Sequence, residues 1–164
     1  MCTSSTQSPP PPPRNRDHYR TAVVDIRFLD RTVHVAPRPS GTAEGSFPEA
    51  AGSATVHVIT ACNPLGRTEP DDVNARAQAR LLDEVRRRGL TWWPAVGGDA
   101  DGTHGEESVA VIGLSDTAAR ALGRRFDQDA IFAWTAGSWR VLACATRAAA
   151  VGGWTARSSG TGER

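Results

Sequence analysis

The most constraining feature of this sequence is a run of ten residues, Thr55 to Pro64, reading TVHVITACNP. Its β-branched residues favour a strand, and Asn63-Pro64 ends it, because proline donates nothing to a ladder. Val56, Val58 and Thr60 fall on one face, His57, Ile59 and Ala61 on the other. Apolar residues on both faces suit a strand buried from both sides, so the run is expected at the centre of a sheet.

A helix pattern follows. Thr68 is placed as an N-cap, Glu69, Pro70, Asp71 and Asp72 form an acidic first turn, and Arg86-Arg87-Arg88 precede a terminal Gly89. Val73, Ala77, Leu81, Leu82 and Val85 recur at three- and four-residue spacing, and Asn74, Gln78, Leu81 and Val85 share one line of the helix. Upstream, Thr21 to Phe28 alternates as a strand, with Val24, Ile26 and Phe28 on one face. Leu29-Asp30-Arg31 turns it into a second strand, Thr32 to Val35, and a Pro/Gly-rich connection runs from Pro37 to about Ser53.

Downstream, Thr91 to Val96 and Glu106 to Gly113 read as paired strands around a glycine-rich loop, Gly97 to Gly105. Ser115 caps a second helix with Ala118, Ala119, Leu122 and Phe126 inward and Arg120, Arg124 and Arg125 outward. Ala130 to Thr135 and Trp139 to Ala145 make a last hairpin. The order β-β-β-α-β-β-α-β-β predicts an α+β two-layer sandwich, a mostly antiparallel sheet with both helices on one face. Residues 1–17, with Pro9 to Pro13, read as a disordered Pro-rich tail, 18–147 as a single α+β domain, and 148–164 as a flexible C-terminal tail.

Charge and cysteine usage narrow the function classes. Net charge is +1, so no global field draws the chain to nucleic acid or an anionic membrane, and neither partner is expected. All 19 Lys+Arg residues are arginine, which with the abundant Ala and Gly reads as the coding bias of a GC-rich bacterial genome. It also removes Schiff-base and P-loop lysines. Cys2, Cys62 and Cys144 are odd in number, with no C-x-x-C, as expected of a reducing cytoplasm. No run is apolar enough to cross a bilayer, the N-terminus has no signal-like core, and no cofactor is expected.

Four places carry candidate chemistry. Asn63, Asn74 and Gln78 lie near the start of the first helix, where amides, backbone N–H groups and the helix dipole could hold a carboxylate or phosphate. Alternatively these amides only satisfy the loop backbone. Asp99, Asp101 and Glu106 resemble a hard-cation loop but lack the register of an EF-hand, so a solvated hairpin loop is the better reading. His104-Gly105-Glu106 matches half of a zinc-deaminase signature whose P-C-x-x-C is absent, and a triad from Asp101, His104 and Ser108 has no nucleophile elbow. Cys62 is either a thiol nucleophile or a small buried apolar residue. The arginines of the two helices read as solvated faces.

Taken as an ordered series, these blocks resemble a bacterial family catalogued as domain of unknown function 3293. The series is Ile59-Thr60-Ala61-Cys62-Asn63-Pro64, Asn74, the leucine helix to Gly89, Glu106-Glu107-Ser108, and Ala118 through Arg124-Arg125-Phe126-Asp127-Gln128-Asp129-Ala130-Ile131. Leu65-Gly66 stands where the family often has serine after Asn-Pro, and His104 where a tryptophan is expected. The resemblance covers roughly Tyr19 to Ala136. It implies a shared set of polar positions, Asn63, Asn74, Glu106 and Gln128, and no activity.

The leading expectation is therefore a binding or accessory domain whose polar site, at the exit of the central strand, recognises a small ligand or a protein partner. One alternative is a hydrolase or transferase with Glu106 or Glu107 as general base and Asn63 and Asn74 positioning substrate. Another is a protein–protein interaction module with a purely structural amide cluster, working through a sheet edge or exposed tryptophans.

Overall fold

The computed structural model describes residues 17–160. The expectation of a disordered Pro-rich tail lies outside the described residues except for Asp17, which begins a short helix, α1 (Asp17–Thr21). Nine strands follow. They are β1 (Val23–Arg27), β2 (Arg31–Arg38), β3 (Ala43–Glu44), β4 (Val56–Thr60), β5 (Thr91–Gly98), β6 (Gly105–Ile112), β7 (Ala130–Thr135), β8 (Ser138–Ala143) and β9 (Ala149–Gly160). Two longer helices, α2 (Asp71–Arg87) and α3 (Asp116–Arg125), separate β4 from β5 and β6 from β7.

The strands run β2-β1-β5-β6-β4-β7-β8-β9, and β9 then pairs with β2. The result is a closed eight-stranded barrel in which every neighbouring pair is antiparallel, with the two-residue β3 added in parallel to β9. This overturns the two-layer α+β sandwich. The reason is β9, in the segment read as a flexible tail from 148 to 164. It pairs with β2 over eight residues, from Arg31 opposite Gly160 to Arg38 opposite Gly153. The domain thus extends beyond 147.

Closure removes the two edges that an open sheet of this order would leave on β2 and β9. It also gives the fold an inside. Val24, Ile26, Val33, Val35, Val56, Val58, Phe132, Trp134, Trp139 and Trp154 are buried in one cluster. They come from alternate positions of their strands, as inward-facing residues of a barrel must. Trp134 meets Trp154 edge-on at 5.3 Å between ring centroids, and Phe47 packs on Trp134 at 5.0 Å. Trp154 Nε1 donates to the Thr135 carbonyl at 3.0 Å. Among the described residues, Nε1 of Trp134 and of Trp139 find no partner, so apolar packing rather than hydrogen bonding holds this plug together.

A second cluster lies outside the barrel, under α2 and α3. Ile59, Val109, Val111, Ile131, Ala133 and Leu142 meet Ala77, Leu81, Val85, Ala119 and Leu122 there. The two-faced apolar pattern of β4 is thereby explained: Val56 and Val58 face the interior, Ile59 the helices. Val33 and Val35 of β2 are interior in the same way, while His34 between them faces outward and meets Asp25 at 2.6 Å. The α2 stripe is Ala77, Gln78, Leu81 and Val85, and Val73 is exposed. Thr68 is not the N-cap. Pro70 occupies that position with no side-chain cap, whereas Ser115 does cap α3, accepting from the Ala118 N–H at 3.1 Å.

The arginines read as solvated faces are mostly exposed, as expected, and also carry contacts. Arg87, Arg88 and Arg125 converge on Glu84 at 3.1, 3.1 and 2.9 Å, and Arg86 lies over the Trp92 ring. Arg120 donates to the carbonyls of Arg147 and Ala148, and Arg124 to that of Cys144. These contacts hold the β8–β9 connection against α3.

One charged network ties β4, α3 and β8. His57, fully buried, donates from Nε2 to Asp116 at 2.8 Å, and Arg140 grips the same carboxylate at 2.6 and 3.2 Å. Burial lowers the His57 pKa below its ordinary 6.5, and the Arg140 hydrogen bonds hold Asp116 down at about 2. Below pH 6.5 the unfolded chain therefore binds a proton that folded His57 resists, so stability falls with acidification. The Asp116 contribution is present above 3.8 and is lost as pH falls towards about 2.

This architecture sets two expectations. The unfolding free energy from urea titration should drop between pH 7.5 and 5, by at most about 1.4 kcal/mol per pH unit from His57. A His57→Gln variant, whatever its absolute stability, should show a shallower slope over that range; an unchanged slope contradicts the assignment. Deleting residues 149–164 should abolish cooperative thermal unfolding and expose the tryptophan plug, read as a red-shifted fluorescence maximum. A tail would leave both unchanged.

Candidate functional site

The tryptophans fill one end of the barrel and leave the other open. A cavity of about 250 Å³ occupies that end. Val58, Ala130 and Phe132 line its apolar part, α1 contributes His18 and Tyr19, and Thr60, Glu106, Ser108 and Gln128 supply polar atoms. Gly97 belongs to this wall: a Cβ there would lie 3.8 Å from Ser108 Oγ and 3.9 Å from Val24, so its missing side chain contributes directly to the open space.

The exit of β4 forms one side. Asn63 adopts the left-handed conformation (φ 48, ψ 57) and starts a single 3-10 turn, Pro64–Gly66. Asparagine tolerates this region because its short side chain can bond locally. Here Asn63 Oδ1 accepts from the Glu69 N–H at 3.0 Å and from Asn74 Nδ2 at 2.9 Å, while its own N–H donates to Asn74 Oδ1 at 2.8 Å. Asn63 Nδ2 then donates to Glu106 Oε1 at 2.8 Å. Gln128 Nε2 donates to the carbonyls of Cys62 at 3.0 Å and Phe126 at 3.2 Å. Gln78 Oε1 accepts from the Ala61 N–H at 3.2 Å.

The four positions singled out in the sequence are therefore drawn together, with unequal roles. Asn63, Glu106 and Gln128 line the cavity. Asn74 stands behind Asn63 and lines an outer cleft shared with Glu69, Asp71 and Glu107. Both asparagine side chains are committed to one another and to the loop backbone. With Glu69, Asp71, Glu106 and Glu107 around the cleft, the carboxylate or phosphate site expected at the helix start has no electrostatic support.

Glu106 and Glu107 part company because adjacent residues of a strand face opposite ways. Glu106 faces the cavity; Glu107 is exposed on the outer surface, and its carbonyl accepts from Thr60 Oγ1 at 2.6 Å. His104 Nε2 lies 3.7 Å from Glu106 Oε1. Ser108 Oγ donates to the Glu106 carbonyl at 3.1 Å, which does not orient it as a nucleophile. The Cys62 thiol is pushed up by burial, so it is a poor thiolate source. Asp101 Oδ1 accepts from the Thr103 N–H and hydroxyl, closing the hairpin loop on itself.

Backbone strain gathers at the same place. Among the described residues, the non-glycine residues with positive φ are Asn63, Leu65 (φ 59) and Asp127 (φ 56). The Leu65 N–H donates to the Asp127 carbonyl at 2.7 Å, joining the β4 exit to the α3–β7 turn. Leucine has no local hydrogen bond to favour this conformation, so the surrounding loop imposes it. Sequence reasoning did not find the cavity itself, nor His18, Tyr19 and Gly97 in its wall; only barrel closure brings them there.

Replacing Asn63 by Ala removes its side-chain hydrogen bonds and leaves a Cβ residue in a left-handed conformation, a destabilisation of about 2–4 kcal/mol. Asn63→Gly, which relieves the backbone but loses the same bonds, should cost measurably less in urea unfolding. Equal costs would show that the conformation is not strained.

A family model described as "Protein of unknown function (DUF3293)" matches residues 59–131, the span from β4 through the start of β7. No curated protein and no solved structure matches the chain.

Proposed function

We propose, from the premise that residues 59–131 of this chain carry a domain of the DUF3293 family, that the protein is a small-ligand-binding barrel whose site is its open end. The observation that carries this reading is the cavity of about 250 Å³ with an apolar floor and a polar rim. Its size lies between an apolar cavity of ~150 Å³ that takes up benzene and the ~300 Å³ at which drug-sized sites begin. That suits a metabolite of one small ring or a short chain. The strained β4 exit and its amide network support the reading, since such strain gathers where a surface must be held in one shape.

In this reading Asn63 is a positioning residue. It fixes Glu106 from behind, and Asn74 fixes Asn63, so the carboxylate is held before a ligand arrives. Gln128 steadies the opposite wall through the carbonyls of Cys62 and Phe126. The protein–protein alternative has less to rest on, because closure pairs both sides of the eight barrel strands and Trp134, Trp139 and Trp154 are buried, leaving Trp92 and Trp93 partly exposed. The general-base alternative retains Glu106 alone, since Glu107 lies on the other face.

Gly97 offers a direct test. Its backbone is not left-handed and a Cβ there makes only ordinary van der Waals contact with Ser108 and Val24, so Gly97→Leu should fold and plug the cavity. Small-molecule fragments that raise the melting temperature of the parent chain should fail to do so with this variant. If the plugged variant responds to the same fragments equally, the cavity is not the site.

A further inference from the structure

We infer that the cavity takes a small primary amine, bound as an ammonium ion on an apolar body, rather than an anion or a neutral molecule. This rests on the reading of the barrel mouth as a ligand site and adds the chemistry of its ligand.

The charge of the wall is the first ground. Of the 18 described residues that line the cavity, Asp99 and Glu106 are carboxylates and none is an arginine. The two histidines of the wall, His18 and His104, carry charge only when protonated. Glu84, Asp72 and Asp116, by contrast, are each met by arginine. Glu106 is 29% exposed in its side chain, and the nearest cation-capable group is His104 at 3.7 Å. A carboxylate drawn partly out of water is stabilised by an opposite charge, and here the described residues supply no permanent one.

Unspent acceptors are the second ground. Glu106 Oε1 is taken by Asn63, while Oε2 accepts no hydrogen bond among the described residues. Gln128 spends Nε2 on two carbonyls and leaves Oε1 without a donor among the described residues. Both side chains line the same cavity. An ammonium group has three donors and no acceptor, the complement of a wall that offers oxygen lone pairs. An anion would meet Asp99, Glu106 and the acidic outer cleft, with no permanent positive charge among the described lining residues.

The aromatic wall is the third. Tyr19 and Phe132 line the cavity with ring centroids 6.0 Å apart and planes inclined at 64°. Aromatic walls receive an apolar body, and a ring face attracts a cation brought over it.

The test uses the full chain and three matched probes, phenethylamine, 2-phenylethanol and phenylacetate, titrated calorimetrically against the parent protein, Glu106→Gln and Gly97→Leu. The amine should bind the parent at least tenfold more tightly than the alcohol, and phenylacetate more weakly than either. Glu106→Gln should erase the amine's advantage while leaving the alcohol unchanged, and Gly97→Leu should abolish binding of both. If the alcohol or phenylacetate binds the parent as well as the amine, and Gly97→Leu still blocks it, the amine inference is overturned while the pocket survives. If no probe binds, or Gly97→Leu leaves binding intact, the pocket reading fails and takes the inference with it. The comparison within the parent chain decides the matter even if Glu106→Gln does not fold.

Discussion

The pairing of β2 with β9 is the interaction on which the rest of this structure depends. Without it, eight antiparallel strands form an open sheet with two long unpaired edges, and Val33 and Val35 on β2 have no interior to face. With it, the strands enclose a volume that the chain fills unevenly. Three of five tryptophans pack one end, while at the other Gly97, Ala130, Ser108 and Thr60 are too small to meet across the opening. The cavity is thus a consequence of closure combined with an uneven distribution of side-chain volume.

Closure also demands close backbone approach. At Gly153 a Cβ would stand 2.2 Å from the Thr42 carbonyl oxygen and 2.4 Å from that of Pro39, so only glycine fits where the long β2–β4 connection crosses the last strand. The same connection brings Phe47 onto Trp134. The tryptophan-filled end is therefore covered by a segment whose own elements are only the two residues of β3 and a 3-10 turn at Glu49–Ala51. The open end is built differently, from hydrogen-bonded amides around the β4 exit. Apolar packing fixes one end of the barrel and polar geometry the other.

Much of this was legible in the sequence, and the failures share a cause. Strong alternation and β-branched residues gave β1 and β4 their faces and placed β6 and β7. Ser115 announced α3, and Gly89, at φ 66, ended α2 as expected. The convergence of Asn63, Asn74, Glu106 and Gln128 was anticipated as a set of positions, though not the division of labour among them. What the residues did not reveal was β9. Its sequence, AAVGGWTARSSG, carries Trp154 as its one large apolar residue that faces the interior, and glycine and serine ordinarily speak against a strand. Those small residues serve close approach and a solvated outer face, which are requirements of the closed tertiary structure and leave no local signal. Missing β9 made a barrel look like a sheet with helices on one side. The helices are there, and they cover β4, β6, β7 and β8, with Trp92 of β5 at the margin.

Barrel closure is the feature from which cavity, plug and β4 exit all derive, and interstrand nuclear Overhauser effects measure it directly. The β2–β9 register predicts contacts of Val33 with Ser158 and Val35 with Ala156, with slow amide exchange along both strands. Random-coil shifts and fast exchange over residues 149–160, with no cross-strand contacts to β2, would contradict it and return the fold to an open sheet.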